Sequence, residues 1–211
     1  MGILTVATAN TAQSAGLDVG ADLIAIQQLA AVAHQIRQIT CDVKAQVLGR
    51  EMAVLGKRLE PGSWSVTECL DHLTQTTRSF LPEISLAISE ARKLTKNRRL
   101  RTGLVPSLLI RSLNPPYRIR FKVLPQITPR NLDSQTAWIN FVNSQSQLLE
   151  VLSSAAGLAI DEVRIKSPVY ARISYNIFGA FRMLVAHQSR HIWQIEQILK
   201  ILDSRAVPGV A

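Results

Sequence analysis

Apolar residues recur at three- and four-residue spacing through most of the chain, the period of an α-helix with one buried face. The first such run starts near residue 21 and reaches the mid-fifties, with Ile26, Leu29, Val32, Ile36, Ile39, Val43 and Val47 in phase. Gly49 is placed to bend or end it, and the following LEPGSWSV is a Pro-Gly turn. A second helix opens with Ser65 and Glu68 at the spacing of a capping box. Trp64 and Cys69 take the two positions of a hydrophobic staple. The stripe then runs Val66, Leu70, Leu73, Phe80, Ile84, Ala87 and Ala91. Pro82 is expected to kink this helix without stopping it, because the pattern continues on both sides.

A third helix fits residues 131–156, with Leu132, Ile139, Val142, Leu149 and Leu152 expected inward and Gly157 just past the end. A fourth spans about 174–202 and carries Ile177, Phe181, Leu184, Ile195, Ile198 and Leu202. The short link between the first two helices predicts antiparallel neighbours. The long link between the second and third, residues 92–130, allows a crossover that leaves them parallel. The expected fold is all-α: a four-helix bundle in up-down-down-up order with that crossover between helices 2 and 3. Residues 21–203 form the single domain in this reading, between a loosely ordered tail at 1–20 and a C-terminal tail at 204–211. Within the crossover, a short helix fits 106–113, and PPYRIRFKVLP is extended at most.

Composition agrees with helices: 47% of residues are hydrophobic, only 5% aromatic and 18% charged. The two cysteines, Cys41 and Cys69, make no disulfide framework. The N-terminus lacks the basic region of a signal peptide, and no run approaches the roughly 18 apolar residues of a membrane span. The expectation is a soluble, cytoplasmic protein with no membrane partner. The net charge of +9 is local: eleven basic residues and no acidic one lie between Arg92 and Arg130, against 13 basic and 15 acidic elsewhere. A charge-based partner argument therefore concerns the crossover alone.

The fourth helix carries the main anomaly. Its inward face should continue apolar between Leu184 and Ile195, yet His187 and His191 occupy those turns, with Gln188 and Gln194 close by. Residues four apart stack on one helix face, so both imidazoles point the same way. Burying two unpaired polar rings costs several kcal/mol, on the order of the penalty for unsatisfied polar groups, and a shared metal ion removes that cost. The spacing alone also fits two satisfied core histidines or a surface pair. It is not a zincin motif, because residue 188 is Gln where that motif has Glu. His72, two turns into the second helix, would supply a third imidazole if the two helices touch at that level.

PGSWSVTECLDHL, followed much later by LVAHQSRHIWQIEQI, resembles the DinB-like superfamily, in particular its second branch. The pattern there is a Trp-Ser helix start, a histidine seven positions after the serine, and a late His-x-x-x-His-x-x-Gln. Trp64, Ser65, His72, His187, His191 and Gln194 stand in those places. The resemblance covers roughly residues 20–202. It implies the up-down-down-up bundle and a metal triad of His72, His187 and His191. Three imidazoles with an open fourth position suit a reactive or ligand-binding metal, with zinc, nickel, iron or manganese all admissible. The family includes metal-dependent hydrolases and transferases of low-molecular-weight thiols, and many members without an assigned activity. Family membership therefore indicates a site more firmly than a reaction.

The resulting expectation is a metal-dependent hydrolase or small-thiol-dependent transferase acting on a small molecule, with catalysis from a metal-activated water or thiolate. The alternative is a non-catalytic metal-binding or dimerisation module, and a homodimer is compatible with either. Gln194 is a candidate to support a ligand or a metal-bound water. His34 has no partner at ligand spacing, Glu68 is taken by its cap, and Trp138 and Trp193 read as core or rim. The basic crossover could follow nucleic-acid phosphates, but it has few aromatics and no reading motif, so an anion-attracting rim or solvated face is preferred over nucleic acid.

Overall fold

A glycine with φ of +79° at position 49 ends the first apolar stripe, so that run folds as two helices, α1 (Leu23–Val47) and the single turn α2 (Met52–Leu55). The computed structural model describes residues 23–115, 117 and 122–206. The remaining elements are α3 (Val66–Ser89), α4 (Leu104–Leu113), a 3₁₀ turn at Pro125–Ile127, α5 (Ser134–Ser154), strands β1 (Arg164–Lys166) and β2 (Ser174–Asn176), and α6 (Ile177–Ala206). The protein is thus mostly helical with one small hairpin. No helix is long and apolar enough to cross a membrane among the described residues.

The helix starts follow their sequence signals. Ser65 Oγ accepts from the Glu68 N–H at 3.2 Å while Glu68 Oε2 accepts from the Ser65 N–H at 2.9 Å, completing the capping box of α3. Asp133 caps α5 by accepting from the Thr136 N–H at 2.8 Å, which places that start at Ser134 and not at 131. Pro82 lies inside α3, which continues to Ser89. α6 starts at Ile177, later than expected, because Ser174–Asn176 pairs with β1, Ile165 opposite Tyr175. Such a three-residue strand is too short to register as alternation, and its two buried residues, Tyr175 and Asn176, are consecutive.

α3 packs on α5 and α6, and α1 packs on the same two helices. α1 and α3 are therefore not the close neighbours that a short link suggested. Residues 48–65 include α2, which packs on α5, and this carries the chain across the end of the structure. Thr67 and Ser134, near the starts of α3 and α5, share a hydroxyl hydrogen bond of 2.7 Å. Beyond the ends of both helices, Lys93 and Leu158 form an isolated antiparallel bridge. The inward face of α5 also differs from expectation: Ile139 is 49% exposed, whereas Ala137, Phe141, Ser144, Gln145, Leu148 and Leu152 are buried. Small and polar residues make up half of that face, so counting large apolar residues alone rotates it wrongly.

The described part of the crossover is tied down by charge. Asp161 accepts from Arg98 at 2.6 and 3.0 Å and from the Arg101 N–H at 3.0 Å, while Glu162 takes Arg92 and Arg98. Much of the expected extended segment, residues 116 and 118–121, lies outside the described residues, as does the tail at 1–20. α4 is held on α6 by a close approach at Gly179, where a Cβ would lie 2.5 Å from both Pro106 Cγ and the Thr102 carbonyl oxygen. Gly179→Ala is accordingly expected to destabilise the protein by about 1–3 kcal/mol, the usual cost of overpacking. A urea midpoint equal to that of the wild type would contradict this packing.

Candidate metal centre

α3 brings His72 and α6 brings His187 and His191 to one place. His72 and His191 are buried and His187 half-buried, and the three offer ligand atoms that all lie within 4.8 Å of one another. His72 Nε2 and His187 Nε2 are 3.2 Å apart. Two nitrogens on one tetrahedral ion, each about 2.0–2.1 Å from it, stand about 3.3 Å apart. The observed spacing therefore suits a shared metal. The ring centroids of the three histidines are separated by 5.1, 4.7 and 4.7 Å.

Hydrogen bonding fixes two of the three tautomers. His72 Nδ1 lies 2.7 Å from the Ile127 carbonyl oxygen, which can only accept, so Nδ1 carries the proton and Nε2 keeps a lone pair. His191 Nδ1 is likewise 2.9 Å from Gln194 Oε1. Gln194 thus orients a ring of the cluster, in the way a metal-ligating histidine is usually supported. His187 Nδ1 is buried without a hydrogen-bond partner. The close approach of the His72 and His187 Nε2 atoms, the mutual nearness of one ligand atom from each ring and the all-imidazole donor set together fit a divalent ion.

All three rings favour the neutral form. Burial is the main cause in each case: it lowers the His72 pKa, puts that of His187 well below the ordinary value and holds that of His191 down to about 3. Neighbouring imidazoles and Arg190 push His187 and His191 further the same way. A ring that protonates less readily folded than unfolded contributes stability that is fully present above the unfolded value of about 6.5 and is lost as pH falls through the folded value. For the metal-free protein, the urea midpoint should fall from pH 7 toward pH 4, more steeply than in His191→Ala. Identical pH profiles for the two proteins would contradict the buried neutral cluster.

The surroundings include residues assigned another role, or none, from the sequence. Trp64 lies 4.8 Å from the His72 ring and stacks on His191 at 5.9 Å and 22° between planes. Its expected staple partner, Cys69, is fully buried, and burial pushes its thiol pKa up. Asp71 is buried beside His72 and accepts from the Arg130 guanidinium at 2.6 Å, the Arg130 N–H at 2.7 Å and Gln75 at 2.8 Å. Gln75 also donates to the Thr128 carbonyl at 2.9 Å. These bonds anchor residues 128–130 on α3, next to the Ile127 carbonyl that orients His72.

Other expectations resolve simply. His34 is exposed on α1, away from the cluster. Glu68 is held by its cap and by Arg58. Gln188 is buried and donates to Thr77 Oγ1 at 3.2 Å. Trp193 is 43% exposed and packs on Tyr117, a rim position as expected.

No curated protein and no solved structure matches the chain. The family model for the DinB superfamily matches residues 35–195, a span that includes His72, His187, His191 and Gln194. The chain belongs to the DinB superfamily.

Proposed function

We propose that the protein binds one divalent metal ion through His72, His187 and His191 and acts on a small molecule as a metal-dependent hydrolase or small-thiol-dependent transferase. The observation that carries this reading is the convergence of three imidazoles, two of them with Nδ1–H committed to acceptors, which leaves the lone pair on Nε2. The frame is read as the up-down-down-up four-helix bundle, supported by the packing of α1 and α3 on both α5 and α6 and by the contacts near the two ends of α3 and α5.

His72, His187 and His191 would hold the ion, whose chemistry when bound would be to lower the pKa of a water or thiol toward neutral pH. The protein's own residues do the positioning. Ile127 and Gln194 hold two of the rings in the tautomer that presents Nε2. Trp64 packs against the His72 and His191 rings. Zinc, nickel, iron and manganese all suit this donor set.

The test is turnover of a small electrophile with and without a low-molecular-weight thiol, by protein stripped with chelator and then reloaded with each metal. Activity that follows metal loading supports an enzyme, and dependence on thiol selects the transferase. Stoichiometric metal with no turnover in either assay would favour the non-catalytic metal-binding module. Of the eleven basic residues in the crossover, Arg92, Arg98 and Arg130 are engaged by carboxylates of the protein, which reduces the charge that segment could offer a nucleic acid.

A further inference from the structure

Phe178 and Arg182 stand nine and five residues before His187, which at about 100° per residue turns them away from the triad's side of α6. There they line a groove of about 420 Å³ between α1, residues 99–100 and α6, together with Gln28, Gln35, Arg99 and Leu100. That volume is in the range of small-molecule sites. Among the described residues, no carboxylate lines it.

The groove is built from fixed parts. Gln28 holds Leu100 by both backbone groups, accepting from its N–H at 2.7 Å and donating to its carbonyl at 3.2 Å. The next residue is pinned in the same way: the Arg101 N–H donates to Asp161 at 3.0 Å, and its carbonyl accepts from Asn176 at 2.8 Å. Arg182 is placed from two sides. Its guanidinium donates to the Thr102 hydroxyl, and the central carbon stands 6.0 Å from the centre of the Phe178 ring.

The charge in this groove is unbalanced. Arg92 and Arg98, from the same segment as Arg99, take Glu162 and Asp161. Neither Arg99 nor Arg182 forms an ion pair among the described residues, and both are exposed. A guanidinium has five N–H donors, so the bond to Thr102 leaves Arg182 able to hold a ligand. Two cations on one concave surface repel each other, and an anion between them replaces that repulsion with attraction. A carboxylate balances one of them. A phosphate group carries up to two charges and three strong acceptor oxygens, enough for a fork from either wall.

We propose that this groove is a second binding site, separate from the triad, that holds the phosphate group of a small molecule between Arg99 and Arg182. The proposal needs no metal and stands independently of the reading of the triad.

The experiment titrates the full-length protein, stripped of metal with chelator, with phenyl phosphate, inorganic phosphate and benzoate at constant ionic strength, following the ¹⁵N amide shifts. Phenyl phosphate should give saturable shifts that are largest near residues 28–35, 99–102 and 178–182, and should bind at least about tenfold tighter than benzoate. Inorganic phosphate that binds there as tightly as phenyl phosphate would identify the free ion as the ligand, and weaker binding would identify an organic phosphate. Arg99→Gln and Arg182→Gln should each weaken phenyl phosphate at least about tenfold, whereas Arg111→Gln, an exposed arginine of α4 that does not line the groove, should stay within about twofold. The wild-type shift map needs no variant to fold. Shifts that do not saturate or that centre elsewhere, equal affinity for benzoate, or affinity unchanged in Arg99→Gln and Arg182→Gln would overturn the proposal.

Discussion

Alanine at position 187 is expected to abolish stoichiometric metal binding, with affinity falling by about a hundredfold or more. That scale comes from sharing the roughly 10–16 kcal/mol of a structural zinc site among its ligands. His187 Nε2 lies 3.2 Å from His72 Nε2, and removing the ring leaves only His72 and His191 as ligands. Its effect on the metal-free fold should be of a different kind. His187 Nδ1 is a buried polar atom without a partner, so deleting the ring relieves one unfavourable burial while opening a cavity. The two effects oppose, and the stability of the metal-free protein should change by no more than about 1–2 kcal/mol. Metal analysis with thermal melts, with and without added zinc, checks both halves. A variant that retains full metal, or loses its fold altogether, would contradict this account of the ring.

Arg130→Ala should be the most damaging change outside the triad. Asp71 is fully buried, and its Oδ1 accepts from the Arg130 guanidinium at 2.6 Å. Removing the cation leaves a buried carboxylate with only Gln75 and a backbone N–H as partners. Breaking a buried ion pair in this way costs about 3–5 kcal/mol, and the half-exposed Arg130 side chain argues for the lower end, about 3. The same loss loosens residues 128–130 beside the Ile127 carbonyl, so His72 loses its orienting acceptor. Metal affinity should then fall by about 10–100-fold, as for other groups that support a ligand from behind. Urea unfolding and competitive zinc titration separate the two effects. Asp71→Asn offers a gentler comparison, since it removes the charge while keeping the shape. Unchanged affinity in both variants would show that the anchoring of residues 128–130 has no part in holding His72.

Much of this was legible in the sequence, and unevenly so. The capping box of α3 and the inward pairing of His187 with His191 follow from local spacing, because a helix fixes geometry over a few residues. His72 entered through the family pattern, since whether two helices touch is a long-range fact that periodicity does not contain. Trp64 reads locally as a staple, and only the packed α6 reveals it stacked on His191. The link between Asp71 and Arg130 spans 59 residues of chain and was invisible for the same reason. Ile139 misled because polar and small residues, among them Gln145 and Ser144, share the buried face of α5. The sequence shows the charge of the basic crossover but not its partners, and Asp161 and Glu162 engage part of it. Arg182 was passed over because its meeting with Arg99 in one groove depends on how the crossover lies against α1 and α6.

The central claim is that three imidazoles from two helices hold one ion through Nε2. The most direct measurement is anomalous diffraction from crystals of the zinc-loaded protein. The account predicts a single peak with the Nε2 atoms of His72, His187 and His191 each about 2.0–2.1 Å from it, and His72 Nδ1 still bonded to the Ile127 carbonyl. An ion elsewhere, ligation through Nδ1 or a cysteine sulfur, or no peak while the three rings keep their present contacts would contradict it.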